Sequence, residues 1–230
     1  MFTLSTNDYL AVGYLGGGEP LPSGAKTGIV VRSKRRKSDY HHGDLRAAVI
    51  TEALAILNTE GLEALTLREV ARRVGVTQAA PYRHFRDRRQ LIGAVAAEGF
   101  TELRAAMLKG AQAGGRAGMK GVALSYLEFG RRNRALYGLM FGSEIGAAND
   151  LPELAEAGRQ ALGVVSSAIE AQQAAGTITP GRADLLAVSL WAALHGLTDL
   201  VLSGQTTSLA PAEKIAESML RVMMYGLAPR

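Results

Sequence analysis

Thr66–Phe85 reads TLREVARRVGVTQAAPYRHF, and the fold turns on this stretch. Thr66-x-x-Glu69 is a capping box, in which the Thr hydroxyl takes the Glu69 amide and the Glu carboxylate reaches back to the Thr66 amide. Leu65 and Val70 stand at the staple positions that flank such a cap. Leu67, Val70, Ala71 and Val74 give a short helix its apolar face, and Gly75 ends it where a positive φ is needed. Thr77 is expected to cap the next helix, which holds Tyr82 and Phe85. Asp87 caps the one after, with Gln90 three residues on. Two short helices joined by a tight glycine turn make a helix-turn-helix, and the second has the length to enter a DNA major groove.

Outward from this unit the chain reads as helix after helix. Asp44 is placed to cap a first helix with apolar positions Leu45, Val49, Ala53, Ile56 and Leu57, stopped by Gly61. Later helices are predicted over 88–112, 118–132, 134–142, 152–175, 182–203 and 211–226. No alternating strand pattern and no internal repeat is found. The expected class is all-α: a three-helix head followed by a C-terminal antiparallel bundle, about nine helices in all. Three regions are expected: a disordered extension with a basic arm at 1–38, a helix-turn-helix domain at 39–90, and a ligand-binding and dimerisation domain at 91–230. Gly13, Gly16, Pro20, Pro22 and Gly24 break any period in the extension. Gly18–Thr27 has the wrong spacing for a phosphate loop and no strand ahead of it.

Composition narrows the classes further. There is no cysteine among the 230 residues, which excludes disulfides, thiolate zinc sites and thiol redox sensing. The net charge of +5 is uneven: thirteen basic against seven acidic side chains over 32–90, and twelve of each over 91–230. A localised basic excess points to a polyanionic partner for that segment. No secretory pattern is present at the N-terminus, and a cytoplasmic protein, nucleoid-associated when bound to DNA, is expected. Leu185–Leu202 approaches membrane length but carries His195 and Asp199, so a buried bundle helix is expected and no membrane partner.

The side chains of the unit suit DNA. Thr77 and Gln78 begin the second helix, where side chains meet base edges, and Gln bonds adenine through two hydrogen bonds or contacts phosphate. Tyr82, Arg83 and His84 are donors for the backbone. Arg88 and Arg89 lie in a first helical turn, where positive charge opposes the macrodipole, so a partner is expected for them. The run Arg32, Lys34, Arg35, Arg36 and Lys37 is either a solvated tail or an arm along phosphates or in the minor groove. Taken singly, these features have plainer readings: Phe85 as a core aromatic, His84 as a surface histidine. The ordered set, with the charge split, favours DNA.

The run Thr66–Phe85, followed by Arg86–Leu91 and preceded by Leu45–Gly61, resembles the DNA-binding domain of the TetR family of transcription regulators. Tyr82-x-His84-Phe85 is the most specific part. The resemblance implies base contacts from Thr77, Gln78 and Ala79 or Ala80, and phosphate contacts from Thr66, Tyr82, His84 and Arg88. Pro81 departs from the family's usual Leu, Ile or Val, and softens the expected pose of Gln78. Trp191-x-x-x-His195-Gly196 is similar to the C-terminal signature of one branch, the WHG type.

By layout, residues 91–230 resemble the family's ligand-binding and dimerisation half. Candidate ligand-binding residues are Phe100, Met107, Tyr126, Phe129, Met140, Phe141, Trp191 and His195. Each is equally a core residue, and His195 a satisfied core histidine. The last two helices suit a dimer seam, with Leu186, Leu190, Ala193, Leu197 and Val201 on one stripe and Ile215, Met219, Val222 and Met223 on another. Burial within one subunit is the other reading. His41 and His42 lack further ligands for a metal, and no metal, cofactor or catalytic residue is expected. The expected function is a ligand-released repressor that binds a palindromic DNA operator as a homodimer and answers to an unknown small-molecule effector. An activator, a nucleic-acid-packaging protein and a small helical enzyme are the alternatives.

Overall fold

A computed structural model describes residues 45–145, 150–206 and 208–226, with side chains to 223. The expected extension and arm, including Arg35 and Arg36, the Asp44 cap, His41 and His42 lie outside the described residues. Among the described residues there are eight α-helices and no strand. They are α1 (Leu45–Glu60), α2 (Leu67–Val74), α3 (Arg88–Ala111), α4 (Gly115–Arg132), α5 (Arg134–Phe141), α6 (Pro152–Ala174), α7 (Ala183–Leu202) and α8 (Ala212–Gly226). Helix periodicity and the glycine and proline breaks had placed all of these within a few residues.

The head is built on the apolar face of α2. Leu67, Val70 and Ala71 are buried against Val49, Ala53 and Ile56 of α1. Gly75 takes φ 80°, and its N–H and that of Val76 both bond the Ala71 carbonyl at 3.0 Å. A Cβ at such a φ is strained, which is why glycine ends the helix. Leu65 and Val70, the staple pair, are both fully buried.

Half of the capping box forms. Thr66 Oγ1 accepts the Glu69 N–H at 3.2 Å. The Glu69 carboxylate, however, does not return to the Thr66 amide. Arg72 donates to it at 2.8 and 2.6 Å, and Arg73 at 2.7 Å. Two guanidinium groups outcompete one neutral amide for the same carboxylate, because charge-assisted bonds are roughly twice as strong. They also hold the Glu69 carboxyl down at about 2. Arg73 reaches on to Glu60, tying α2 to the end of α1.

The helix expected over 77–85 is corrected to a shorter, tighter object. The Ala80 N–H bonds the Thr77 carbonyl at 3.0 Å, and a 3-10 helix follows over Pro81–Arg83. Proline is the cause: an α-helical bond to the Thr77 carbonyl would come from the residue 81 N–H, which proline lacks. The chain therefore turns on i→i+3 bonds, Arg83 N–H on Ala80 and His84 N–H on Pro81, before the Phe85 N–H also bonds the Pro81 carbonyl at 3.0 Å.

Asp87 caps α3 as expected, accepting the Gln90 N–H at 2.9 Å, while Gln90 Oε1 accepts the Arg86 N–H at 2.8 Å. α3 then runs 24 residues without a break from the head into the body. It packs on α1 at its start and on α4, α5 and α6 along its length. Two arginines bolt head to body: Arg46 of α1 pairs with Glu153 of α6, and Arg89 donates to the Ile145 carbonyl at 3.0 Å and to Asp150 at 3.2 Å.

In the body α7 packs against α4, α6 and α8. Ala187, Leu190, Leu194, Leu197 and Thr198 face inward. Its other side is open: Leu185 is 57% exposed, Val188 52% and Leu200 42%. The helix expected to be buried is therefore buried on one face only. With a mean hydropathy of 1.7 it is long and apolar enough to cross a membrane by length and composition alone.

Candidate nucleic-acid interface

The side chains expected to meet DNA arrive on one short stretch. Thr77, Gln78, Ala79, Tyr82, Arg83 and His84 are all exposed, and Ala80 is half-buried. Phe85 anchors that stretch from below. Its ring is 2% exposed, with the Arg46 guanidinium 5.6 Å from its centroid. Pro81 is buried as well. The residues facing solvent are thus donors and small side chains, and the residues facing the core are apolar. Tyr82 is the exception that suggests use: it leaves 55% of a large aromatic surface in water beside two basic side chains. Thr66 stands half-buried at the start of α2, its hydroxyl already committed to the Glu69 amide.

Arg88 occupies a different place. Its Nε donates to the Leu65 carbonyl at 2.7 Å and its Nη2 to the Leu62 carbonyl at 2.6 Å. The arginines at the start of α3 do have partners, but for the donors just named those partners belong to the chain itself. Arg88 thereby stitches the loop that carries Thr66 to the helix that carries the head into the body. Replacing Arg88 by Ala should destabilise the protein by about 2 kcal/mol, since two bonds from a charged donor are lost and the carbonyl of fully buried Leu65 is stranded. Urea unfolding followed by circular dichroism measures this. Lys should restore little, because an ammonium cannot reproduce the fork.

Behind the head, five of the eight expected ligand-binding residues form one aromatic cluster. Phe100 meets Phe141 edge-on at 5.3 Å, Tyr126 meets Trp191 edge-on at 5.1 Å, and Phe141 lies 4.4 Å from the His195 ring. Met140 packs where Gly99 leaves room, and Met107 and Phe129 are buried in the same core. A residue absent from the expectation, Tyr137, joins the two halves. Its hydroxyl lies 2.6 Å from His195 Nδ1 and 3.4 Å from the Tyr126 hydroxyl. His195 Nε2 faces Asp199 at 3.5 Å. With the imidazole proton on Nε2 toward that carboxylate, Nδ1 accepts from Tyr137, and Tyr137 accepts from Tyr126. Burial pushes the Tyr137 hydroxyl up to about 12 and that of Tyr126 higher still, so both keep their protons to donate. The signal for Tyr137 was its spacing of four from Phe141, which puts both rings on one side of α5.

None of these eight residues lines the cleft of about 470 Å³ in the same half, which is walled by α3, α4 and α6.

The family model for bacterial regulatory proteins of the tetR family matches residues 49–95. The model for the tetracyclin repressor-like C-terminal domain matches residues 119–223. The chain belongs to the TetR family of transcriptional regulators. The C-terminal match takes in Trp191, His195 and Gly196. A solved structure of a protein with unknown function from Rhodococcus sp. RHA1 is similar at 33% identity, with a TM-score of 0.73 over 84% of this chain and 100% of that one. A regulatory protein in the tetR family, also from Rhodococcus RHA1, shares the fold at 19% identity, with a TM-score of 0.57 over 80% of this chain and 97% of that one. The tetracycline repressor protein class C of Escherichia coli is 51% identical over 51 residues. That match spans 22% of this chain and 23% of that repressor, under a quarter of either. TetR-family membership accounts for a head that presents Thr77, Gln78, Tyr82, Arg83 and His84 to solvent after the Gly75 turn, ahead of a helical body. Among the described residues no cluster of three or more metal-ligating side chains occurs.

Proposed function

We propose that this TetR-family chain is a transcriptional repressor that binds a palindromic operator as a homodimer and is released by a small molecule held in its C-terminal half. The observation that carries the reading is the exposed set Thr77, Gln78, Ala79, Tyr82, Arg83 and His84 on a turn anchored by buried Phe85. Gln78 and the small residues beside it stand for base reading, and Tyr82, Arg83 and His84 for phosphate contact. Ala80, Thr66 and the basic run with Arg35 and Arg36 belong to the same proposed footprint. Arg88 is assigned a positioning part, through the loop it holds. The repressor sign is supported by the class C tetracycline repressor's name, while the short match leaves the effector to be read from this chain's own body. Such a protein works in the cytoplasm, where its DNA is.

Dimerisation is assigned to the last two helices, with the α7 part moved off the stripe read from periodicity and Val222 of the α8 stripe 71% exposed. Leu190 and Leu197 of that stripe are buried within the subunit. The open face of α7 carries Leu185, Val188, Ala192, Gly196 and Leu200, with the small residues in its middle and open space where a Cβ on Gly196 would stand. Small central residues let two helices approach closely, and a two-fold axis through such a face gives two heads one orientation each for inverted half-sites.

Selection of bound sequences from random DNA tests the whole reading. Two inverted half-sites with fixed spacing are expected, and recovery of unpatterned DNA would sink it in favour of packaging. Val188→Glu, which buries a charge only if the seam is real, should convert the dimer to monomer in sedimentation and weaken operator binding at least tenfold. A variant that stays dimeric with full affinity would place the seam elsewhere.

A further inference from the structure

The cleft behind the head is lined by four glycines, Gly114, Gly115, Gly118 and Gly163, and lies beside a helix crossing made without side chains. Gly110 and Gly121 bring α3 and α4 so close that a Cβ on Gly121 would lie 2.0 Å from the Gly110 carbonyl oxygen. Beyond this crossing Gly114, Gly115 and Gly118 line the cleft at the turn from α3 into α4, and Gly163 lines it from α6. Leu108, Met119, Val164 and Ala168 supply most of the apolar wall. At about 470 Å³ the space is within the range of pockets that hold small molecules.

Its polar groups are one-sided. No Asp or Glu lines it. Arg104 lines it half-buried, and among the described residues no ion-pair or hydrogen-bond partner meets its guanidinium. Gln172 lines it at 2% exposure. The Thr177 hydroxyl, with one proton to give, sits 2.6 Å from Gln172 Oε1 and 2.9 Å from the Gln172 carbonyl oxygen. Gln160 has its own amide donor on Glu156 at 2.9 Å. A guanidinium without an acid, in an apolar cleft that also holds the Gln172 amide and Ser167, is satisfied by one kind of visitor, an acceptor-rich anion.

We infer that this cleft is the effector site and that its ligand is an amphipathic organic anion, the acid group paired with Arg104 and the apolar body laid along the glycine-lined wall. The inference rests on the reading of the C-terminal half as the effector-binding half. It assigns sensing to residues outside the aromatic cluster, which is packed and carries its own internal hydrogen-bond chain. A cationic amphiphile of the same shape is disfavoured by Arg104, and a neutral one leaves the guanidinium unpaired.

Isothermal titration of the full-length protein, below micellar concentrations, with decanoate, decanol and decylammonium tests this. Decanoate should bind, decanol at least tenfold more weakly, and decylammonium more weakly still. Arg104→Gln should lower decanoate affinity to that of decanol and leave decanol unchanged. Arg104→Lys should restore part of the difference, and Ala168→Phe, which fills the cleft, should abolish binding with the fold checked by circular dichroism. No decanoate binding, or equal decanoate affinity in wild type and Arg104→Gln, overturns the anion site. A parallel measurement follows labelled operator by fluorescence anisotropy. Decanoate that binds without releasing DNA overturns the effector assignment and leaves the anion site standing. Release by all three probes overturns the anion class and leaves ligand sensing standing.

Discussion

A Gln78→Ala, Tyr82→Ala double variant should lose about 100-fold or more in affinity for the selected operator while keeping the stability of the wild type. Both side chains stand in solvent, Tyr82 at 55% exposure, and neither holds a core contact, so a stability change within about 0.5 kcal/mol is expected. The affinity loss has two sources that separate experimentally. A bidentate base contact discriminates by about 1–3 kcal/mol, so Gln78→Ala should weaken operator binding and leave random DNA nearly untouched. Tyr82 is a neutral donor to phosphate, so Tyr82→Ala should weaken both DNAs alike and leave the salt slope near its wild-type value, because no cation is removed. Titrations of operator and scrambled DNA at two salt concentrations resolve the two patterns. Full operator affinity in the double variant would remove the Thr77–His84 stretch from the interface.

Gly121→Ala should be the most damaging single methyl in the bundle, costing about 3 kcal/mol. The added carbon would meet a backbone oxygen, not the end of a flexible side chain, so α3 and α4 must separate over their shared length. The crossing is reciprocal, since a Cβ on Gly110 would lie 2.3 Å from the Gly121 oxygen. Gly158 provides the contrast. It sits in mid-α6 with nothing within 4 Å, so Gly158→Ala should be neutral or stabilising by up to about 1 kcal/mol, the helix-propensity difference. Urea unfolding of the two variants distinguishes steric crossing from propensity. Equal midpoints would mean that the helices relax apart at no cost.

Glu69 illustrates how far a motif carries. Its spacing from Thr66 announces a helix start, and the helix does start there, but its carboxylate answers to Arg72 and Arg73. A capping box is a statement about i and i+3; it contains no information on which cations a neighbouring turn brings into reach. Arg88 shows the same limit over a longer distance. Its position in a first helical turn called for a partner, yet the carbonyls of Leu62 and Leu65 become its partners only when the α1–α2 loop folds over the start of α3.

Periodicity behaves differently for burial and for assembly. The α7 stripe of Leu186, Leu190, Ala193, Leu197 and Val201 suited a dimer seam or burial within one subunit, and Leu190 and Leu197 are buried. A helix that is apolar all round has a second face, however, and only the neighbours α4, α6 and α8 decide which stripe is covered and which is left for another molecule. The cleft was invisible for a related reason. Its defining residues are glycines, an arginine and a glutamine from three helices, none of which forms a pattern along the chain.

Legible along the chain were local features: the limits of the eight α-helices to within a few residues, the Gly75 turn, the Asp87 cap and the order of side chains from Thr77 to His84. Those depend on backbone sterics and contacts a few residues apart, which residue type and spacing specify. The 3-10 turn at Pro81 was not among these: an α-helix was expected over 77–85, and the missing proline N–H cut it short. The tertiary structure alone decided that Arg88 braces the head, that Tyr137 completes the chain from Tyr126 to Asp199, which face of α7 stays open, and where the empty space in the body lies. Each of these depends on groups distant in the chain meeting across a helix crossing, and crossings such as Gly110 on Gly121 are set by packing that no single helix contains.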